Sequence, residues 1–131
     1  MLLRKTEKGF TMIELVVVLV LIGLIAAIAI PKYLDVTTNS KEKALKGALS
    51  SIRGAVQMSY SKSVLDGTPT YPSLNATIFT NGNVPDDVYT PTTNVAYTTE
   101  DPISTFSGAG GWIYNKTTGE VRVNVTGYTT W

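Results

Sequence analysis

Apolar residues are concentrated in one block near the start of the chain. Every residue from Leu15 to Ile30 is apolar apart from Gly23. Counted from Phe10 to Ile30, the segment has 21 residues. As a helix rising about 1.5 Å per residue it would span roughly 30 Å, the thickness of a bilayer's hydrocarbon core. The residues before it include three basic ones, Arg4, Lys5 and Lys8. The pattern predicts a membrane helix whose amino end stays in the cytoplasm.

A second pattern follows, with apolar residues at every third or fourth position. This spacing places them on one face of a helix and predicts that the face is buried. The residues are Leu45, Leu49, Ile52, Val56, Tyr60 and Val64. Asp66-Gly67-Thr68-Pro69 combines a glycine suited to a helix end with a proline beyond it. We therefore expect one long helix from about Phe10 to Leu65, kinked or loosened rather than ended at Pro31.

After the helix the pattern changes to turns and then to strands. Prolines and an Asn-Gly pair interrupt residues 71–105 about every ten positions, which predicts an irregular segment. Alternating valines within residues 120–125 predict a strand, and residues 111–114 with the turn residues 115–119 complete a hairpin. A head of about 65 residues cannot build a large core alone, so we expect the helix to cover one face of the sheet. The predicted fold is α+β, with a long amino-terminal helix packed against a small antiparallel sheet.

Composition removes several classes of function. The 131 residues include no cysteine and no histidine. Disulfides, zinc sites of thiolate and imidazole ligands, and nucleophiles activated by histidine are therefore excluded. A net charge of +1 provides no overall field that would attract nucleic acid. We predict no enzyme activity, no catalytic residue, no cofactor and no nucleic-acid partner.

Glu14 is an acid inside the apolar segment. A carboxylate at the centre of a membrane helix costs about 3 kcal/mol, less near the interface, and is rarely kept without a partner. Lys8 could reach back to it. Alternatively, cleavage after Gly9 would give Phe10 a free amino group, a cation beside this carboxylate or one in a neighbouring copy. A plain membrane anchor does not explain the acid, and Ala27-Ile28-Ala29 is only a weak cleavage site for a secretory signal peptide.

The amino-terminal motif resembles that of a type IV prepilin, with a class III-type pattern. It consists of Lys8-Gly9-Phe10-Thr11-Met12-Ile13-Glu14, followed by the apolar run and Pro31. The resemblance implies that a dedicated membrane peptidase cuts between Gly9 and Phe10 and methylates the new amine of Phe10. It also implies that Glu14 neutralises the amino terminus of a neighbouring subunit during assembly.

The patterns and the resemblance together divide the chain into five parts. They are the leader (1–9), the transmembrane and polymerisation half of the helix (10–31), its amphipathic half (32–66), a variable loop region (67–105) and the carboxy-terminal sheet (106–131). Residues 32–131 form the head. Gly23 is either a point of close helix packing or a weak point at which the membrane half of the helix stretches during assembly.

The expected function is that of a structural subunit that waits in the inner membrane and is then extracted into a helical filament. The filament would be extracellular or span the periplasm, and would serve adhesion, motility or surface attachment. The expected partners are further copies of the chain, the lipid bilayer, prepilin peptidase and the inner-membrane assembly machinery. Two alternatives stay open: a pseudopilin of a type II secretion system, and a membrane-tethered pilin whose loop binds a ligand such as a sugar or DNA.

Two acidic pairs, Asp86-Asp87 and Glu100-Asp101, lie in the expected loop. Oxygen-rich clusters of this kind can hold calcium, whereas acids in turns more often accept hydrogen bonds from backbone donors. Because no calcium-loop spacing is present, we predict no metal site. Three triplets, at Asn75, Asn115 and Asn124, match a glycosylation motif, but threonine is so frequent that they carry little weight.

Overall fold

The structure is a computed structural model that describes residues 9–131. Arg4, Lys5 and Lys8, on which the predicted orientation and the Lys8 pairing depend, lie outside the described residues. The elements in chain order are α1 (Met12–Leu65), a 3-10 turn (Ala76–Ile78), β1 (Val95–Thr98), β2 (Ala109–Asn115) and β3 (Val121–Val125). The predicted α+β class is confirmed. The chain divides into two compact units, Met1–Asn39 and Ser40–Trp131.

The first unit presents an exposed apolar helix surface. Large apolar side chains between residues 10 and 30 range from 47% exposed, at Val18, to 89% exposed, at Phe10. The helix here is long and apolar enough to cross a membrane. It continues through Gly23 and Pro31, so neither residue ends it. The prediction of one continuous helix is confirmed, although it begins at Met12.

α1 ends in a hydrogen-bonded glycine cap. Gly67 has a φ of +78°, in the left-handed region that glycine tolerates. The Gly67 N–H donates to the Val64 carbonyl at 3.1 Å, and the Thr68 N–H donates to the Ser63 carbonyl at 3.0 Å. These two bonds form a Schellman motif, which satisfies two of the last carbonyls of the helix. The predicted stop at residues 66–69 is therefore confirmed.

The second unit holds a three-stranded sheet in the order β1-β2-β3. β2 and β3 pair antiparallel, with Trp112 opposite Val123, which confirms the predicted hairpin. β1 pairs parallel with β2, with Val95 opposite Trp112. The sheet is therefore mixed, where a wholly antiparallel one was the expectation. β1 falls within the segment that turn signals assign to a loop, because four residues are too few to show the alternation of a strand.

Gly111 permits the close approach of β1 to β2. The Trp112 N–H donates to the Asn94 carbonyl at 2.8 Å, directly before β1. A Cβ added at Gly111 would overlap this same carbonyl, and the φ of +73° there also favours glycine. Both the lack of space for a side chain and the positive φ therefore favour glycine at position 111.

The core of the second unit joins α1 to the sheet. The helix contributes four of the residues predicted for its buried face, Leu45, Leu49, Ile52 and Val56. The remainder of the chain contributes Leu74, Trp112, Tyr114, Val121, Val123 and Val125. Tyr60 stacks on Tyr71 with ring centroids 4.2 Å apart, whereas Val64 is 46% exposed. The buried face of α1 therefore ends at Tyr60, and its predicted extension to Val64 is wrong.

Candidate assembly site at the start of the helix

Thr11 and Glu14 form a reciprocal hydrogen-bonded cap at the first turn of α1. The Thr11 N–H and the Thr11 hydroxyl both donate to Glu14 Oε2, at 2.8 and 2.9 Å. In return, the Glu14 N–H donates to Thr11 Oγ1 at 3.3 Å. Because α1 begins at Met12, Thr11 is the N-cap and Glu14 is the third helical residue. This is the arrangement of a capping box.

The capping box gives the Glu14 carboxylate a partner within its own helix. A carboxylate in the first turn also interacts favourably with the positive end of the helix dipole. The partners expected for Glu14 were cationic, but the partner here is the neutral Thr11. Thr-x-x-Glu before an apolar run is itself a sequence signal for a capping box. Glu14 therefore has a local structural role besides any role between copies.

The other predicted site residues lie before and after this turn. Gly9 and Phe10 are exposed and immediately precede the N-cap residue Thr11. Phe10 and Glu14 line a shallow cavity of about 300 Å³ together with apolar residues of the first two helical turns, Ile13, Val17 and Val18. Gly23 lies further along, where an added Cβ would meet no atom of the described chain. Within one copy, therefore, close packing does not account for Gly23.

Asp87 is a buried carboxylate in the segment expected to be a variable loop. Its side chain has no exposed surface. It accepts hydrogen bonds from the Tyr89 and Thr90 N–H groups at 2.9 and 2.7 Å and from the Gly111 N–H at 2.7 Å, and a further bond from the Thr90 hydroxyl. Burial alone would raise the pKa of Asp87, but these hydrogen bonds outweigh burial and lower the pKa below its usual value. Asp87 thereby ties its turn to β2.

Glu100 holds the next turn in a similar way. It accepts hydrogen bonds from the hydroxyls and N–H groups of Ser104 and Thr105, at 2.6 to 3.0 Å. The Thr105 hydroxyl is the largest of the influences that lower the pKa of Glu100 to about 2. Asp87 and Glu100 thus act as the acceptors expected of acids in turns. Within residues 9–131, the structure contains no group of three or more Asp or Glu residues that could hold a metal ion.

The three glycosylation triplets differ in accessibility. Asn115 and Asn124 are buried, and their amide nitrogens donate to the Glu100 carbonyl and to Ser107 Oγ at 2.7 and 2.8 Å. Asn75 is exposed and caps the 3-10 turn. Asn115 and Asn124 are therefore structural residues that sequence matching does not distinguish from Asn75.

The chain matches the family model described as the prokaryotic N-terminal methylation motif, over residues 4–30. The matched segment includes Gly9, Phe10 and Glu14 and the whole apolar run to Ile30. No solved structure was found to match the chain.

The chain is also similar to pilus proteins of several bacteria. The fimbrial protein EcpC of Eikenella corrodens is 40% identical over 60 residues, which cover 46% of this chain and 39% of that protein. The type IV narrow pilus major component PilA5 of Thermus thermophilus is 40% identical over 48 residues, or 37% of this chain and 41% of that protein. The type IV major fimbrial protein FimA of Dichelobacter nodosus is 37% identical over 65 residues, which cover 50% of this chain and 39% of that protein.

The chain therefore spans about two fifths of the length of these curated relatives. All three are named as fimbrial or pilus components, which are structural proteins and not enzymes. Together with the methylation motif, they confirm the resemblance to type IV pilins.

Proposed function

We propose that this chain, a protein of the type IV pilin family, is a structural subunit of a pilus-like filament that serves adhesion, motility or surface attachment. One observation carries the proposal: the methylation motif of residues 4–30 includes the start of a helix, at Met12, whose first turn holds Glu14 and whose apolar surface is exposed. The relatives support a pilus subunit, and the exposed helix is consistent with a membrane-anchored precursor that later joins an extracellular filament.

The apolar surface of residues 10–30 has two environments in this proposal. In the precursor, the lipid bilayer covers it. In the filament, the same segments of neighbouring copies replace lipid, and packing between helices then stabilises the assembly. Gly23 and Pro31 are the positions at which we propose that the helix loosens or kinks during this exchange, since glycine and proline are the residues least favourable to a helix interior.

Processing by prepilin peptidase after Gly9 prepares the chain for assembly in two ways. It removes the charged side chains of the leader, Arg4, Lys5, Glu7 and Lys8, which would be costly inside an apolar bundle. It also creates an amine at Phe10, which is then methylated. Thr11 bonds only Oε2 of Glu14, and no described donor bonds Oε1. Oε1 is therefore the oxygen that we propose faces the amine of a neighbouring copy.

Mass spectrometry of sheared filaments tests the processing. We expect a chain that begins at Phe10 and carries one added methyl group. Intact Met1 in assembled filaments would contradict the proposal. Electron microscopy of the same material tests the class of assembly, because long surface fibres identify a pilus whereas a short periplasmic filament would identify a secretion pseudopilus.

Two substitutions of Glu14 separate its charge from its capping role. Glutamine can accept the Thr11 hydrogen bonds but carries no charge. Valine has neither an acceptor oxygen nor a charge. If Glu14 neutralises a neighbouring amine, Glu14→Gln and Glu14→Val should both insert in the membrane, and both should yield about tenfold fewer filaments, as expected when a charged partner is left unpaired.

Thr11→Val is the matched control. It removes the hydroxyl of the capping box while leaving the Glu14 charge in place, and should weaken the helix start by about 1 kcal/mol with little loss of filaments. A normal filament yield from Glu14→Gln would show that the cap alone matters and would overturn the proposed role of the charge.

A further inference from the structure

We infer that the heads of neighbouring copies dock through opposite charges, with the exposed basic surface of α1 in one copy against acidic turns of the next. This inference rests on the proposed filament and names which parts of the head hold it together. It concerns the second unit, Ser40–Trp131, all of which the structure describes.

Charge is segregated within this unit. Residues 40–65, the helical part, carry five basic and one acidic side chain, a balance of +4. Residues 66–131, the turns and strands, carry two basic and six acidic side chains, a balance of −4. The unit as a whole is therefore neutral, but its two parts have opposite fields of equal formal charge, an arrangement that can fix how copies meet.

Few of these charges are paired within the copy. Two ion pairs occur among residues 9–131: Lys46 with Glu42, at 2.8 Å, and Arg122 with Glu120, at 2.6 Å. Asp87 and Glu100 are occupied by hydrogen bonds within their turns.

Five charges of this unit are left exposed without a partner in the described chain, two basic and three acidic: Lys43, Lys62, Asp66, Asp86 and Asp101. Lys43 lies two residues from the buried Leu45, and hence on nearly the opposite side of the helix. Within residues 40–65, the exposed charges of α1 are thus basic, and those of the turns beyond it are mainly acidic.

The occupant that fits both surfaces is a second copy of this chain. A two-fold dimer through the basic helix surface would bring like charges together, which is unfavourable. A head-to-tail contact instead brings the basic surface of one copy against the acidic turns of the next. Such a contact leaves one unused surface of each sign, and repeated addition builds an open helical filament.

A charge-swap series tests the inference in full-length protein. Lys43→Glu with Lys62→Glu, and separately Asp86→Lys with Asp101→Lys, are each expected to lower the sedimented filament about fivefold, because like charges then meet. Combining all four substitutions should restore at least half of the wild-type yield. Lys116→Glu is the matched control: it reverses one charge outside the helix, and filament yield should stay near that of wild type.

Carbodiimide cross-linking supplies a second readout that a folding defect would not imitate. Filaments should contain links from Lys43 or Lys62 to Asp86 or Asp101 that detergent-solubilised single copies lack. These links should decrease in about 1 M NaCl, where the screening length is roughly 3 Å.

The outcomes separate this inference from the proposed function. If wild type forms filaments but the fourfold variant is not rescued, or if no cross-links are specific to the filament, the charge docking is wrong. The proposed function as a pilus subunit would still stand. Absence of any wild-type filament would overturn the proposed function itself.

Discussion

Asp87 is the acid whose removal should most disturb the head. Replacing it with asparagine keeps the shape but loses the charge and one acceptor oxygen, so buried donors that include the Gly111 N–H are left poorly satisfied. We expect Asp87→Asn to destabilise the full chain in detergent by about 2 kcal/mol, within the range for unsatisfied buried groups. Urea unfolding followed by tryptophan fluorescence, to which the buried Trp112 contributes, measures the change. Asp86→Asn, at the exposed neighbouring position, should have almost no effect.

The same substitution should also change the pH dependence of stability. The folded state lowers the pKa of Asp87, so its charged form contributes stability above the unfolded pKa of about 3.9, and this contribution is lost as the pH falls through the folded pKa. The difference in unfolding free energy between wild type and Asp87→Asn should therefore narrow below about pH 4. A difference as large at pH 3 as at pH 7 would show that the charge of Asp87 does not stabilise the head.

α1 has a buried and an exposed surface within the same few turns, which allows a matched comparison. Ile52 is fully buried, whereas Met58 is 77% exposed. Ile52→Ala should destabilise the head by about 3 kcal/mol, because it removes packed methyl groups and leaves a cavity. Met58→Ala should change the unfolding free energy by no more than about 0.5 kcal/mol. Similar effects from both substitutions would contradict the assignment of the buried face.

The long elements could be predicted because their signals repeat over many residues. The helical spacing from Leu45 to Val56 and the alternation of Val121, Val123 and Val125 each point to one periodicity and one buried face. β1 lacks such a signal, since its four residues pair with β2 only through the close approach that Gly111 permits. Its parallel pairing depends on contacts distant in sequence, which local patterns do not contain.

The candidate site was predictable in part for the same reason. The order of Gly9, Phe10 and Glu14 is a local motif, and the family comparison covers it. The bond from Thr11 to Glu14 could also be read from four consecutive residues. Asp87 could not, because its neighbour Asp86 has the same chemistry, and only the approach of Gly111, 24 positions away, makes one of the two the buried acceptor.

The head contains its own core. Every buried residue of the hydrophobic cluster lies at or beyond Leu45, and the second compact unit begins at Ser40. A fragment of residues 40–131 should therefore be a soluble monomer that unfolds cooperatively, with Ser40 as a new N-cap and Glu42 in the first turn. Size-exclusion chromatography and thermal unfolding followed by circular dichroism measure both properties.

Ile52→Ala in the same fragment provides the control, because it should lower the melting temperature by at least about 10 °C if the native core is present. Aggregation of the fragment, or a melting temperature insensitive to this substitution, would show that the second unit, Ser40–Trp131, does not fold without residues 1–39.

The capping box has a consequence for how a protease would meet the chain. Gly9, Phe10 and Thr11 are non-helical, and α1 starts only at Met12. The bond between Gly9 and Phe10 could therefore enter an enzyme's cleft without any unwinding of the helix. Thr11 and Glu14 both follow that bond in the chain. Cleavage there would therefore leave the hydrogen bonds of the capping box intact in the product that begins at Phe10.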